Sequence, residues 1–311
     1  MKTSRLFLLL SISLFISRTL TAQEFAFTRK SDVIYSKQDG FALTFDVVTP
    51  KQQNGAAVAM IMSGGWFSNH DTLLPNGEGQ LPGRYQKAAA ALLKEGYTLF
   101  YVVHGSSPRF TCNEIIVQTT SAIDFIQNNA TTFGIEGNRI GVLGGSAGGH
   151  LSLMQGTKDG QVQAVVAYFP PTDFLNYGHE GGSFDEQVRK TMEGKNPFNT
   201  ALELREFDPN ELKIKVVSDK EKLIAHYKHI SPLYDVSEHD APILLLHGDN
   251  DQLVPIQQSE ILIKKLEAAH VPCKLFVKSG AEHGWPESDE ELKLIVEWFN
   301  QYLGESAEAE R

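Results

Sequence analysis

Apolar positions along the chain follow two spacings in turn. Continuous or alternating apolar runs are typical of strands, and between them apolar residues return every three or four positions, which is typical of helices. The predicted strands are 41–48, 56–62, 97–103, 139–143, 162–169, 243–247 and 273–277. The clearest predicted helices are 84–95, 115–126 and 288–303. Strands that alternate with helices predict an α/β fold, with a mostly parallel sheet covered by helices on both faces.

One segment interrupts this alternation. Residues 172–240 are polar, charged and irregular, with helical spacing only at 185–192 and 219–229. The segment is too long for a plain connection between two elements. We therefore expect a single domain over 23–311, with an insertion at about 172–240 that lies over the active-site end of the sheet.

The first residues have the pattern of an export signal. Lys2 and Arg5 precede an apolar run at 6–16, and small or polar residues follow at 17–22. This order predicts a signal peptide over 1–22, cleaved near Ala22, and hence a secreted or periplasmic protein. A membrane anchor is the alternative, but the run is too short to span a bilayer comfortably, so no stable membrane insertion is expected.

Charge and cysteine content narrow the chemistry. The net charge of −10 disfavours nucleic acid and anionic lipid as partners. Cys112 and Cys273 are too few for a disulfide scaffold, and whether they pair stays open. The chain has no H-E-x-x-H, paired-cysteine or G-x-G-x-x-G motif, so neither a metal nor a cofactor is predicted. The oligomeric state also stays open.

The strongest chemical signal is the sequence Gly-Gly-Ser-Ala-Gly at 144–148, between a predicted strand and a helix. A serine on so sharp a turn needs tiny residues two positions before and after it, which G-x-S-x-G supplies. The plainer interpretation is a glycine-rich turn with an incidental serine. The strand–turn–helix setting favours Ser146 as a nucleophile.

A serine hydroxyl becomes nucleophilic when a histidine, oriented by a carboxylate, accepts its proton. In this fold the acid and then the histidine follow the serine along the chain. Asp251 lies in the loop after strand 243–247 and is the predicted acid, with Asp249 as the alternative. His283 lies between the last strand and the last helix and is the predicted base.

The reaction also needs donors for the developing oxyanion. The amide of Ala147, next to the nucleophile, is one predicted donor. The second should come from the loop after strand 56–62, where Gly64 and Gly65 are the candidates, followed by Trp66. Trp66 and Trp285 flank the oxyanion loop and the base, so both are predicted to contact substrate.

In these motifs the chain resembles the esterase/lipase branch of the α/β-hydrolases, near the acetyl-esterase and acetylxylan/feruloyl-esterase-like proteins. The matching stretches are 62–66, 144–150, 247–255 and 283–284. One departure is that Met62 and Ser63 replace the first two residues of the usual His-Gly-Gly-Gly-Trp. The resemblance implies the α/β-hydrolase fold and a carboxylic ester hydrolase. Export then favours short-acyl esters, acetyl or feruloyl, of carbohydrates.

Two other functions remain open at this point. A serine peptidase of the prolyl-oligopeptidase kind shares the fold and the order of the three residues. Such peptidases usually carry a large N-terminal propeller, whereas only about twenty residues separate the predicted cleavage site from the first predicted strand. A non-catalytic binding protein of this fold would be expected to lack one of the three residues, and none is missing here.

Overall fold

The computed structural model describes residues 26–38, 40–70, 81, 85–157 and 161–305. The predicted signal peptide lies outside the described residues. The strands are β1 (Phe27–Gln38), β2 (Phe41–Pro50), β3 (Ala57–Ile61), β4 (Thr98–Val103), β5 (Ile140–Gly145), β6 (Ala164–Tyr168), β7 (Arg205–Asp208), β8 (Lys213–Val216), β9 (Ile243–Gly248) and β10 (Cys273–Lys278). The helices are α1 (Gln86–Lys94), α2 (Cys112–Asn128), α3 (Ala147–Gly156), α4 (Phe184–Thr191), α5 (Lys220–His229), α6 (Pro232–Asp235), α7 (Gln257–Ala268) and α8 (Asp289–Leu303).

Eight of the described strands form one sheet in the order β1-β2-β4-β3-β5-β6-β9-β10. The first two pairings, β1 with β2 and β2 with β4, are antiparallel. From β4 to β10 every pairing is parallel, so the carboxyl ends of these strands meet at one edge of the sheet. The mostly parallel α/β architecture predicted from the apolar pattern is confirmed.

Two apolar clusters cover the two faces of the sheet. One contains buried residues of α2, α3 and α7, and the other contains buried residues of α1 and α8. The central strands are buried throughout, which explains why they read as continuous apolar runs in the sequence. Cys112 and Cys273 are unpaired. Among the described residues, no helix is both long and apolar enough to cross a bilayer.

The polar segment between β6 and β9 forms short elements of its own. α4 and α5 match the helices predicted at 185–192 and 219–229, and the carboxylate of Asp219 caps α5 by accepting from the Lys222 amide. This segment also contains α6 and a two-stranded hairpin of β7 and β8. Phe198, between α4 and β7, packs against the Gly65 backbone.

β1 and the β7–β8 hairpin were not predicted from the sequence. Only Tyr35 of β1 is buried, and two bulges interrupt its pairing with β2. The hairpin is exposed or half-buried along both strands. Strands that bury so little apolar surface carry no clear period-two pattern, because solvent accepts almost any residue there.

Candidate active site

Ser146 lies on the sharp turn between β5 and α3. Its backbone has φ 56° and ψ −124°, a conformation that L residues rarely adopt. A Cβ atom at Gly144 would lie 2.4 Å from the carbonyl oxygen of Gly148, and one at Gly148 would lie 2.5 Å from the carbonyl oxygen of Ile61. The turn therefore closes only because both positions are glycine. The Ser146 amide donates to the Tyr168 carbonyl at 2.9 Å, which ties the turn to β6.

Three side chains predicted from distant parts of the chain form one hydrogen-bonded row. His283 Nε2 lies 2.9 Å from Ser146 Oγ, and His283 Nδ1 lies 2.7 Å from Asp251 Oδ2. A carboxylate can only accept, so Nδ1 carries the proton and Nε2 is left to accept from the serine hydroxyl. The parallel strands explain this meeting, because β5, β9 and β10 all end at the same edge of the sheet.

Asp251 is held as a charged carboxylate. Its Oδ1 accepts the amides of Leu253 and Val254, both at 2.9 Å. Burial by itself raises the pKa of Asp251, but hydrogen bonds from His247 and His283 outweigh it and lower the pKa to about 2. The side chain therefore stays ionised at neutral pH and fixes the tautomer of His283.

Asp249, the alternative acid, has a different position. It is exposed, and its Oδ1 accepts the amide of Gly280 at 2.6 Å. This contact joins the loops that follow β9 and β10. The geometry therefore distinguishes the two aspartates, which the sequence alone did not.

Two buried histidines near the row make structural hydrogen bonds. His247 Nε2 donates to the Val254 carbonyl at 2.8 Å, and Nδ1 lies 2.7 Å from Ser259 Oγ. His150 Nε2 donates to the Ile230 carbonyl at 2.7 Å. Burial lowers the pKa of His150 to about 4, so this ring stays neutral.

The loop after β3 corrects one predicted oxyanion donor. The Gly64 amide donates to the Phe67 carbonyl at 3.0 Å, and the Phe67 amide donates back to Gly64. Gly65 and Trp66, both at positive φ, form the two-residue turn between them. Because the Gly64 amide is already committed, Gly65 and Ala147 are the better candidates. Ala147 is the first residue of α3, where an amide has no partner within the helix.

The two predicted substrate-contacting tryptophans also differ. Trp66 is only 2% exposed and packs against Phe174, Phe184 and His150, so it cannot stack on an open sugar ring. Trp66 lines a small cavity beside Ser146, so its contact with substrate stays a prediction. Trp285 is half-buried, and its indole donates to Glu291 at 3.0 Å.

Two cavities flank the row. The inner cavity, of about 30 Å³, is lined by Ser146, Ala147 and Gly65 and by apolar side chains of the 172–240 segment. The outer cavity, of about 550 Å³, is lined by His283 and Trp285 together with aromatic and charged residues. The side chains of the inner cavity that sequence reasoning missed are Tyr177, Phe184, Val188 and Phe198. They belong to no motif, so no sequence signal marked them.

Among the described residues, one group could hold a metal ion. Ligand atoms of Asp32, Asp46 and His70 lie within 4.8 Å of one another. The Asp46 carboxylate already pairs with Arg29 at 2.7 Å, so its charge is balanced within the protein. The group belongs to the β1–β2 edge of the sheet and the loop after β3, and it contributes nothing to the Ser146 row.

The model of the BD-FAE family matches residues 45–266, a span that includes Ser146 and Asp251. The chain belongs to the BD-FAE family. This α/β-hydrolase-type family agrees with the resemblance that the motifs indicated.

Curated relatives match at low identity. The isoprenylcysteine alpha-carbonyl methylesterase of Arabidopsis thaliana is 26% identical over 193 residues, which cover 57% of this chain and 40% of the relative. The esterase LipC of Mycobacterium tuberculosis is 26% identical over 197 residues, which cover 62% of this chain and 46% of the relative. The chain thus spans less than half the length of these two relatives.

Solved structures confirm the α/β-hydrolase fold. A truncated carbohydrate esterase from gut microbiota has a TM-score of 0.67 at 23% identity, covering 91% of this chain and 98% of that one. A bifunctional GH43-CE protein of Bacteroides eggerthii has a TM-score of 0.66 at 22% identity, covering 89% of this chain and 38% of that one. At these identities the likeness concerns the fold alone.

Proposed function

We propose that this protein is a serine carboxylic ester hydrolase, with Ser146 as nucleophile, His283 as base and Asp251 as acid. The observation that carries the proposal is the continuous row from Asp251 through His283 to Ser146, with contacts of 2.7 and 2.9 Å. The surrounding hydrogen bonds support it, because they hold the acid charged and the base in the tautomer that can accept a proton.

In this mechanism His283 Nε2 takes the proton from Ser146 Oγ as the oxygen attacks the ester carbonyl carbon. The carbonyl π electrons move to oxygen, and the amides of Gly65 and Ala147 stabilise that oxyanion. When the ester bond breaks, the leaving alkoxide takes the proton back from His283 and departs as an alcohol. Water, activated by the same imidazole, then hydrolyses the acyl-serine.

Covalent labelling tests the proposal directly. A fluorophosphonate should modify the intact protein once, at Ser146, and Ser146→Ala should abolish both the label and the hydrolysis of 4-nitrophenyl acetate. The circular dichroism spectrum of the variant should match that of the unmodified protein. A label located by mass spectrometry at another serine would exclude Ser146 as the nucleophile.

For the substrate we propose short-acyl esters, acetyl or feruloyl, of carbohydrates. The outer cavity next to His283 supports this, because it combines the half-buried Trp285 and Tyr85 with the charged Lys87 and Glu287. Aromatic faces and charged hydrogen-bonding groups together suit a sugar ring. The names of the gut-microbiota and Bacteroides eggerthii neighbours, which refer to those proteins, point the same way.

The substrate proposal is tested by acyl length and by polymer. Values of kcat/KM for acetyl, butyryl and octanoyl 4-nitrophenyl esters should fall in that order, and acetate or ferulate should be released from acetylated or feruloylated xylan. Faster octanoyl turnover, with nothing released from either polymer, would contradict it.

A peptidase is the second candidate, because one relative is named a peptidase and another an acylamino-acid-releasing enzyme. An uncharacterized peptidase of Bacillus subtilis is 24% identical over 170 residues, and an acylamino-acid-releasing enzyme of Oryza sativa is 26% identical over 239 residues. Proline-containing and N-acetylated peptide 4-nitroanilides distinguish the two functions. Higher kcat/KM for these amides than for 4-nitrophenyl acetate would favour the peptidase.

We also propose that the protein is exported. The support is the order of basic, apolar and small residues within 1–22. Export would place the enzyme where polymeric carbohydrate esters occur.

A further inference from the structure

The geometry of the inner cavity indicates which part of an ester substrate it binds. This inference rests on the proposed ester hydrolysis. At the reacting carbon the carbonyl oxygen must point to Gly65 and Ala147, and the leaving oxygen must lie near His283 Nε2. One direction remains for the acyl chain. The inner cavity contains Ser146 on its wall and does not include His283, whereas the outer cavity contains His283 and not Ser146. The acyl chain therefore enters the inner cavity, and the alcohol occupies the outer one.

The inner cavity is much smaller than the outer one. By the same measure its volume is about 30 Å³, against about 550 Å³ for the outer cavity. The inner cavity therefore favours a short acyl group over a long or aromatic one. The walls are rigid apolar side chains, since Val188 and Phe184 are buried and pack with the core.

Phe198 forms the part of this wall nearest to the oxyanion turn. A Cβ atom built on Gly65 would lie 2.3 Å from Cε1 of Phe198, so the ring rests directly on the Gly65 backbone. Phe198 is itself held in place, because its amide donates to Asn196 Oδ1 at 2.9 Å. Asn196 Nδ2 in turn donates to Asp185 of α4 at 2.9 Å. The ring is thus a fixed wall supplied by the 172–240 segment.

We propose that Phe198 is the residue that sets acyl length, admitting acetyl and excluding butyryl and feruloyl groups. Its ring occupies the space into which a longer chain would extend from Ser146. Of the two acyl groups in the proposed function, this selects acetyl. It also gives the polar 172–240 segment a specific role, which is to supply the wall opposite the oxyanion turn.

Phe198→Ala tests the proposal through a ratio. The quantity measured is kcat/KM for 4-nitrophenyl butyrate divided by that for the acetate, so any effect on the shared catalytic groups cancels. We expect the ratio to rise at least about tenfold, since each methylene that a hydrophobic pocket accepts or rejects changes discrimination by about 10- to 200-fold. Phe207→Ala is the matched control, because Phe207 lies in the same segment but is 61% exposed on β7. The control ratio should not change.

Two further variants keep the test decisive. Val188→Ala enlarges the same cavity from α4 and should raise the ratio even if Phe198→Ala folds poorly. Trp285→Ala changes the outer cavity and should alter KM for acetylated xylan without altering the ratio. The assignment of Phe198 is overturned if the butyrate-to-acetate ratio is unchanged in both Phe198→Ala and Val188→Ala, or if Trp285→Ala raises it instead. Esterase activity itself would remain in either case. If the unmodified protein hydrolyses no ester and takes no fluorophosphonate at Ser146, the proposed function fails as well.

Discussion

At the scale of single residues, Asp251 and Asp249 offer the sharpest comparison. Asp251→Asn places an amide opposite His283 Nδ1, which favours the tautomer with its proton on Nε2, so the imidazole can no longer accept from Ser146. We expect kcat on 4-nitrophenyl acetate to fall by about four orders of magnitude. Asp249→Asn is the matched control and should lose little, because Asp249 holds only the Gly280 amide. Equal losses in the two variants would contradict the assignment of the acid.

The lowered pKa of Asp251 affects how kcat/KM depends on pH. Because its pKa is lowered to about 2, Asp251 takes up a proton only as the pH falls towards 2 and remains charged above about pH 4. Asp251 should therefore add no proton to the acid-side loss of kcat/KM above about pH 4, and log kcat/KM should fall there with a slope no greater than one. A slope approaching two between about pH 6 and 4 would show that a second group of the row titrates there.

At the scale of elements, the turn from β5 into α3 depends on close backbone contact. Gly144→Ala would bring Cβ to 2.4 Å from the Gly148 carbonyl oxygen, which is backbone and cannot swing away. We expect a loss of about 1–3 kcal/mol in the free energy of unfolding, measured in urea, together with reduced activity because Ser146 shifts.

Gly64→Ala is the matched control for stability. Among the described residues, no atom lies within 4 Å of a Cβ built on Gly64, and its backbone φ is one that alanine can adopt. Its free energy of unfolding should stay within about 0.5 kcal/mol of the unmodified protein. A Gly144→Ala variant as stable as this control would mean that the turn relaxes easily and does not require glycine.

Element prediction succeeded where burial is complete. β3 and β4 are buried at every position, so only apolar residues are accepted there, and the sequence records this as continuous runs. β1 and the β7–β8 hairpin bury little, and their residues are set mainly by solvent and local charge pairs such as Lys215 with Asp208. Such strands show no period-two alternation of apolar residues, which is why the sequence did not predict them.

At the scale of the whole molecule, export is the prediction that lies outside the described residues. When the full chain is expressed in a bacterial host with a secretion pathway, the active protein should be recovered outside the cytoplasm and should begin near Gln23. N-terminal sequencing and intact mass measure this. Recovery of soluble, active protein that retains Met1 would contradict both the signal peptide and the proposed location.

The sequence by itself determined the parallel α/β architecture and two residues of the row, Ser146 and His283. Central strands need apolar runs because they are buried, and a sharp serine turn needs glycine. Both requirements therefore produce local sequence patterns. Only the tertiary structure separated Asp251 from Asp249 and showed that the Gly64 amide is committed to Phe67. It also buried Trp66 and brought Phe198 onto Gly65. Apart from the local Gly64–Phe67 turn, these outcomes depend on which distant atoms meet across the folded chain, and no neighbouring residues encode that.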